Sequence, residues 1–235
     1  MTTMRKVPAN LHTIRGMMGN CFLLADGDAS VMIDTGLVGE PFFIRRLIGK
    51  LRLAPQSIKA ILLTHGHLDH AGNLAWLKQW TGAKVYAHAS EQAHLNGTYP
   101  YQGINRWCGR LEAVGRTLLH YRPAMIDEFL LDGQKLPFWG GLRVLHLPGH
   151  TIGHCGFYSE AHDLLFSGDM FASYFFNVHK PPAMLNSLPQ QLATSAEKIR
   201  QLKPRRIVPC HFDFLNGELH RRRFAKLYGF EDWAE

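Results

Sequence analysis

Residues Thr64 to His70 read T-H-G-H-L-D-H, an HxHxDH motif that sets His65, His67, Asp69 and His70 within six positions. Neutral imidazole and carboxylate are natural ligands for zinc and similar divalent ions. A helix could not turn all four inward, whereas a loop at the C-terminal end of a strand can let them converge. The alternation suits two ions, with His65 and His67 facing one while Asp69 and His70 reach the other. The plainer alternative is a polar surface loop in a chain of 14 histidines. Against it, the motif directly follows the apolar run Ile58 to Thr64 and precedes Ala71-Gly72, a pair that permits tight entry into a helix.

Four ligands cannot complete two metal shells, so further ones must come from later in the chain. His150 in L-P-G-H-T, Asp169 in L-F-S-G-D and His211 in I-V-P-C-H each follow a segment that reads as a strand. Each alone is ordinary; together they supply the missing number and type. Two adjacent cations lower the pKa of a shared water toward neutrality. Asp69 would then accept a hydrogen bond from the bridging hydroxide and aim it. One metal would polarise the scissile carbonyl in place of a backbone oxyanion hole, and no serine or cysteine nucleophile is needed.

The elements that must carry these groups are legible in the chain's periodicity. Residues 20 to 25 and 30 to 34 flank the Asp26-Gly27-Asp28 turn as a hairpin. A helix is expected from Pro41 to Leu53 with Phe43, Leu47, Ile48 and Leu51 on one stripe. A strand over Ile58 to Thr64 leads into the motif. A helix over Gly72 to Trp80, ended by Gly82, and a strand over Lys84 to Ala87 follow, the alternation of an α/β fold. Residues 97–125, with Tyr99, Tyr101, Trp107 and a helix from Asn105 to His120, interrupt the rhythm as an expected lid or pocket wall. Strands are then read at Leu142 to Leu147, Cys155 to Ser159, Leu164 to Ser167 and Arg206 to Pro209. Ser187 and Gln190 form a capping-box pattern ahead of a helix bearing Leu188, Leu192, Ala196 and Ile199. A terminal helix begins near Glu218.

With 235 residues, 46% hydrophobic and 19% charged, the chain reads as one globular domain over 1–235. No apolar run approaches the roughly 20 residues of a membrane span, and the first fifteen residues lack the apolar core of a signal peptide. A cytoplasmic location is the expectation. Cys21, Cys108, Cys155 and Cys210 are scattered, without a Cys-x-x-Cys pair, and read as reduced thiols. The net charge of +7 is diffuse except at Arg205-Arg206 and Arg221 to Arg223. It argues for a solvated surface rather than a nucleic-acid site.

On these motifs the chain resembles the metallo-β-lactamase superfamily, from Asp34 to His211. The resemblance implies a four-layer αββα sandwich with a dinuclear site at the edge of two facing sheets. Carried over by position, His65, His67 and His150 would hold the first metal, Asp69, His70 and His211 the second, and Asp169 would bridge them. Asp34, in V-M-I-D-T-G, would support the ligands from behind. His154 falls where relatives place a non-ligand. Two zinc ions are the expected cofactor, with iron or manganese as alternatives.

The bridging aspartate resembles the glyoxalase II-like and lactonase-like branch, because true β-lactamases of the superfamily lack it. RNA-processing relatives usually add an exosite or a second domain, neither of which is visible here. Met170, Phe171 and Ala172 depart from the glycine-rich stretch of glyoxalase II, and only one short helix ends the chain. The resemblance implies a hydrolase that cleaves an ester, thioester or lactone bond of a small molecule. An iron-dependent persulfide dioxygenase-like oxidoreductase, or a β-lactamase or phosphodiesterase activity on the same fold, stays as an alternative. Tyr174, His179 and Lys180, with Phe175 and Phe176 between them, are candidates to line the substrate cleft, Lys180 meeting an anionic group. A homo-oligomer is allowed.

Overall fold

The computed structural model describes residues 7–37, 41–98, 101 and 106–233. Tyr99, Asn105 and the first six residues, on which parts of the reading above fall, lie outside the described residues. Two six-stranded sheets face each other. In the first, β1 (Leu11–Arg15), β2 (Asn20–Leu24) and β3 (Ser30–Ile33) run antiparallel. Next come β4 (Ile58–Leu62), β5 (Lys84–Ala87) and β6 (Glu128–Phe129), joined in parallel. Helices α1 (Pro41–Lys50), α2 (Leu68–Ala71), α3 (Leu74–Thr81), α4 (Glu91–Leu95) and α5 (Arg106–Leu118) lie between these strands in sequence.

The second sheet holds β7 (Lys135–Leu136), β8 (Leu142–His146), β9 (Cys155–Ser159), β10 (Leu164–Ser173) and β11 (Val178–His179). Beyond α6 (Leu192–Leu202), β12 (Arg206–Phe212) returns to pair in parallel with β10, and α7 (Gly217–Tyr228) follows.

Period-two alternation divides these strands between three cores. Phe22, Leu24, Val31, Ile33 and Leu62 of the first sheet meet Val144, Phe157, Phe166 and Val208 of the second in the central layer. Cys21, Leu23, Met32 and Ile61 turn outward onto α1 and α3, while Leu145, Leu165 and Ile207 turn outward onto α6 and α7. The result is the four-layer αββα arrangement. Phe22, Phe157 and Phe166 are wholly buried, each stabilising the sandwich by roughly 1.5–3 kcal/mol.

Several boundaries differ from the sequence reading. Ile44, not Phe43, joins Ile48 on the buried stripe of α1, and Phe43 is exposed. The second helical stretch begins inside the ligand motif, at Leu68, and breaks before Leu74. No capping box forms at Ser187: a 3-10 turn spans Pro189–Gln191, and α6 starts at Leu192 without a side-chain cap. Proline at the first position of that turn pre-sets the entry instead. Finally, β10 does not stop at Ser167 but runs on to Ser173. All four cysteines are buried and free.

Candidate metal centre

Seven side chains converge where the two sheets open at their strand ends. Strand β4 delivers Thr64 to His70, and its neighbour β3 ends beside Asp34. The loop after β8 carries His150, β10 carries Asp169, and β12 carries His211. Asp169 sits inside a strand rather than after one. The pairing of β10 with β12 slips register between Phe166 and Gly168 and again before Ala172, a bulge that re-aims one side chain. Gly168 is required there: its φ is +53°, and a Cβ would collide with His154 Nε2.

Four of the five imidazoles have one nitrogen turned away from the centre and bonded. His65 Nδ1 meets Thr64 Oγ1 at 3.0 Å. His67 Nε2 meets the Tyr101 hydroxyl at 2.6 Å. His70 Nδ1 meets Asp34 Oδ2 at 2.9 Å, and His150 Nδ1 meets Asn186 Oδ1 at 2.9 Å. With the proton committed outward, the other nitrogen presents a lone pair inward, the arrangement that outer partners impose on metal-binding histidines.

The inward atoms are spaced for a shared ion. His65 Nε2 and His67 Nδ1 are 3.1 Å apart, and Asp169 Oδ2 lies 3.5 Å from His150 Nε2 and 4.0 Å from His65 Nε2. On the other side, His70 Nε2 is 3.6 Å from Asp69 Oδ2 and 3.5 Å from Asp169 Oδ1. His211 Nε2 is 3.5 Å from Asp69 Oδ2 and 3.1 Å from Asp169 Oδ2. Donors about 2.0–2.1 Å from a tetrahedral ion stand roughly 3.4 Å apart, so these separations fit. His70 Nε2, His150 Nε2 and Asp169 Oδ1 are buried without a hydrogen-bond partner, a costly arrangement for polar atoms that a cation would relieve.

The electrostatics divide the group in two. Burial, reinforced by neighbouring histidines, holds His65 and His67 well below their ordinary value, so both stay neutral. His150 is lowered by burial as well. At His70 burial acts the same way but is overcome by Asp169, Asp69 and Asp34, which hold the ring well above its ordinary value. His211 is raised against burial chiefly by Asp169, and Asp169 itself is held well down, against burial, by His211 and His70. A positive charge is stabilised at that side of the centre.

Asp34 accepts from the backbone N–H and hydroxyl of Thr64 as well as from His70, and so ties the motif loop to β3. Its own φ of +57° is left-handed, a strained setting for a non-glycine residue. Sequence reasoning assigned no role to Asn186 or Glu91, read His154 only as a non-ligand, and put Tyr101 in the expected lid or pocket wall. His154 uses both nitrogens: Nε2 accepts from the Asp169 N–H, and Nδ1 donates to the Leu147 carbonyl. The second histidine of P-G-H-T-I-G-H was a visible signal for it. Asn186 and Glu91 gave no local signal, because their contacts span 36 and 62 residues.

A cleft of about 270 Å³ opens onto the centre, lined by Met18, Phe171, Ala172, Pro181, Pro182 and Leu185 besides the ligand candidates. Tyr174 and His179 are among the lining residues. Lys180 is not among the lining residues, and its Nζ lies over the Tyr228 ring at 4.6 Å. Phe175 and Phe176 are exposed and outside the cleft. None of the described residues of 97–125 lines the cleft. They brace the ligand loop from behind, through Tyr101 and through Arg116, whose Nη2 donates to the Gly66 carbonyl at 2.9 Å. Within the basic run, Arg205 pairs with Glu218 at the surface and Arg223 donates to the Tyr174 carbonyl.

Comparison with known proteins follows the same outline. The family model of the metallo-beta-lactamase superfamily matches residues 14–211. The chain is 30% identical over 203 residues to the probable metallo-hydrolase YybB of Bacillus subtilis, covering 85% of this chain and 84% of that protein. It is 32% identical over 154 residues to the hydroxyacylglutathione hydrolase GloC of Haemophilus influenzae, covering 64% of this chain and 66% of that one. The crystal structure of the metallo-beta-lactamase family protein TTHA1429 from Thermus thermophilus superposes with a TM-score of 0.75. At 23% identity over 95% of this chain and 79% of that one, that likeness is one of fold.

Proposed function

The chain belongs to the metallo-beta-lactamase superfamily, and on that footing we propose that it is a dinuclear metal-dependent hydrolase of an ester, thioester or lactone with an apolar acyl portion. His65, His67 and His150 hold one ion, Asp69, His70 and His211 hold the other, and Asp169 contributes to both. Zinc is the proposed metal. The observation that carries the reading is the convergence of seven side chains whose inward atoms stand 3.1–4.0 Å apart. Metal ions bound there supply Lewis acidity and water that is deprotonated at neutral pH.

The chain's own residues supply the rest. Asp69 lines the cleft, and its carboxylate would take a proton from the attacking water and return it to the leaving group. Tyr174, raised by burial and by Asp169, keeps its phenol protonated as a donor to the substrate's acyl oxygen. His179 forms the adjacent wall, its ring 6.0 Å from that of Tyr174. The apolar lining excludes water from the acyl group. No lysine or arginine is among the described lining residues, which favours an uncharged substrate over an anionic thiol carrier such as glutathione.

Membrane crossing has no support, as no described helix is long and apolar enough. The four buried free thiols support a reducing, cytoplasmic setting. The test is metal analysis of the purified protein, followed by assay against uncharged esters and lactones, an acylglutathione thioester, a phosphodiester and a β-lactam. Two metal equivalents and fastest turnover of the uncharged esters or lactones are expected. Stoichiometric iron with oxygen uptake, or turnover of the phosphodiester alone, would refute the proposal.

A further inference from the structure

Glu91 opens α4, on the far side of the ligand loops from the cleft, and is fully buried. Its two carboxylate oxygens are taken up by the backbone of two separate loops. One oxygen, Oε2, accepts from the backbone N–H of Gly66 at 2.7 Å, and the other, Oε1, accepts from the backbone N–H of Gly153 at 2.8 Å. Gly66 lies between His65 and His67, and Gly153 lies three residues beyond His150. The two loops that furnish the three-histidine corner come from different sheets, and this single carboxylate spans them. Both glycines are needed for the approach. A Cβ at Gly66 would fall 2.6 Å from the His94 Cβ, and one at Gly153 would fall 2.7 Å from Glu91 Oε1.

We propose that Glu91 is a positioning residue that ties the His65–His67 loop to the His150 loop and thereby sets the geometry of the three-histidine corner. The inference rests on the metal reading given above. An ionised carboxylate suits the role, since it accepts at both oxygens, whereas an amide or a protonated acid must turn one donor toward an N–H. Burial alone would raise the Glu91 carboxyl, but bonds from His94, Thr151 and Gly66 hold it down to about 2. Its reach is confined to one corner. His70, by contrast, is held by Asp34 and Thr35, through bonds that Glu91 does not share. Loss of the strap should therefore loosen the two corners unequally.

The experiment is a cobalt(II) titration of the metal-free protein, followed in the visible, for the parent and for Glu91→Gln. A melting curve of each metal-free protein is recorded alongside. The amide keeps the size of the side chain but faces one glycine N–H with a donor. The expected result is a 10- to 100-fold loss of affinity at the tighter site, the range for removing an outer partner of a metal ligand. The weaker site should change less than threefold, and the metal-free melting point by only a few degrees. If Glu91→Gln does not fold, Gly153→Ala makes the same test from the loop side, since its methyl displaces Glu91 while leaving the charge. Unchanged tight-site affinity in a folded variant overturns the strap, as does equal weakening of both sites. A parent protein that takes up no cobalt overturns the metal reading itself, and the strap with it.

Discussion

The two corners of the centre are built differently. The three-histidine corner is the more deeply buried: His65, His67 and His150 are at most 7% exposed, with only His67 and His150 reaching the cleft wall. They are braced by Thr64, Tyr101, Asn186 and the Glu91 strap, which come from four separate parts of the chain. The opposite corner faces the cleft, with the side chains of Asp69 and His211 19% and 17% exposed. Its chief brace is the Asp34 carboxylate behind His70. Burial keeps the first corner neutral, whereas the carboxylates of the second stabilise positive charge. A braced, neutral, deeply buried corner is suited to retaining an ion. An open, anionic one is suited to meeting substrate and to exchanging its ion with solvent.

The largest effect should come from breaking the buried corner. His150→Ala is expected to abolish tight metal binding and lower kcat/KM by about a thousandfold, roughly 4 kcal/mol of transition-state stabilisation. His211→Ala should leave close to one metal equivalent bound and cost less, because its corner is not the one that retains the first ion. Metal analysis after gel filtration, set beside kcat/KM, separates the two; equal metal loss in both variants would erase the distinction between corners.

Asp34→Asn should come next. The amide can still accept from Thr64 but no longer supplies the charge that pairs with His70, so the second ion should weaken about 10- to 100-fold while the first is retained. Competition with a chromogenic chelator reads both affinities. Tyr101→Phe removes only the outer partner of His67 and should weaken the first ion by about tenfold or less, leaving the second untouched.

A last effect bears on stability rather than on metal binding. His220 bridges β10 and the segment after β12, its Nδ1 facing Ser173 Oγ and its Nε2 donating to the Phe214 carbonyl. Burial, against that carbonyl, lowers its pKa to about 4. Between the ordinary value of 6.5 and 4 the unfolded chain binds more protons than the folded one, so stability is complete above 6.5 and falls as pH drops through that window. The contribution is about 3 kcal/mol. Urea unfolding of the metal-free protein should show this decline, and His220→Asn should flatten it.

How much of this was readable beforehand follows the range of the interactions. The ligand candidates stood out because residue type and strand-end position are local properties, and seven of them agreed in number. The αββα layers were implied by the family resemblance rather than by periodicity, and the division of the strands between three cores agrees with them. Asp169 was found but placed at a strand end, because the register slip that turns it inward depends on its pairing with β12. The braces were not legible. Glu91 and Asn186 are ordinary polar residues in sequence, and only the fold brings them to loops tens of residues away. Residues 97–125 were seen as an interruption, but which side of the site they pack on is decided by Tyr101 and Arg116. Lys180 was put forward on charge alone, whereas its neighbour is the Tyr228 ring, a contact 48 residues away that the sequence does not display.

The most direct test is anomalous X-ray diffraction at the zinc edge from crystals of the protein loaded with zinc. Two peaks are predicted: one within about 2.0–2.2 Å of His65 Nε2, His67 Nδ1 and His150 Nε2, the other equally close to Asp69, His70 and His211, with Asp169 in reach of both. A single peak elsewhere, or none among these seven side chains, would contradict it.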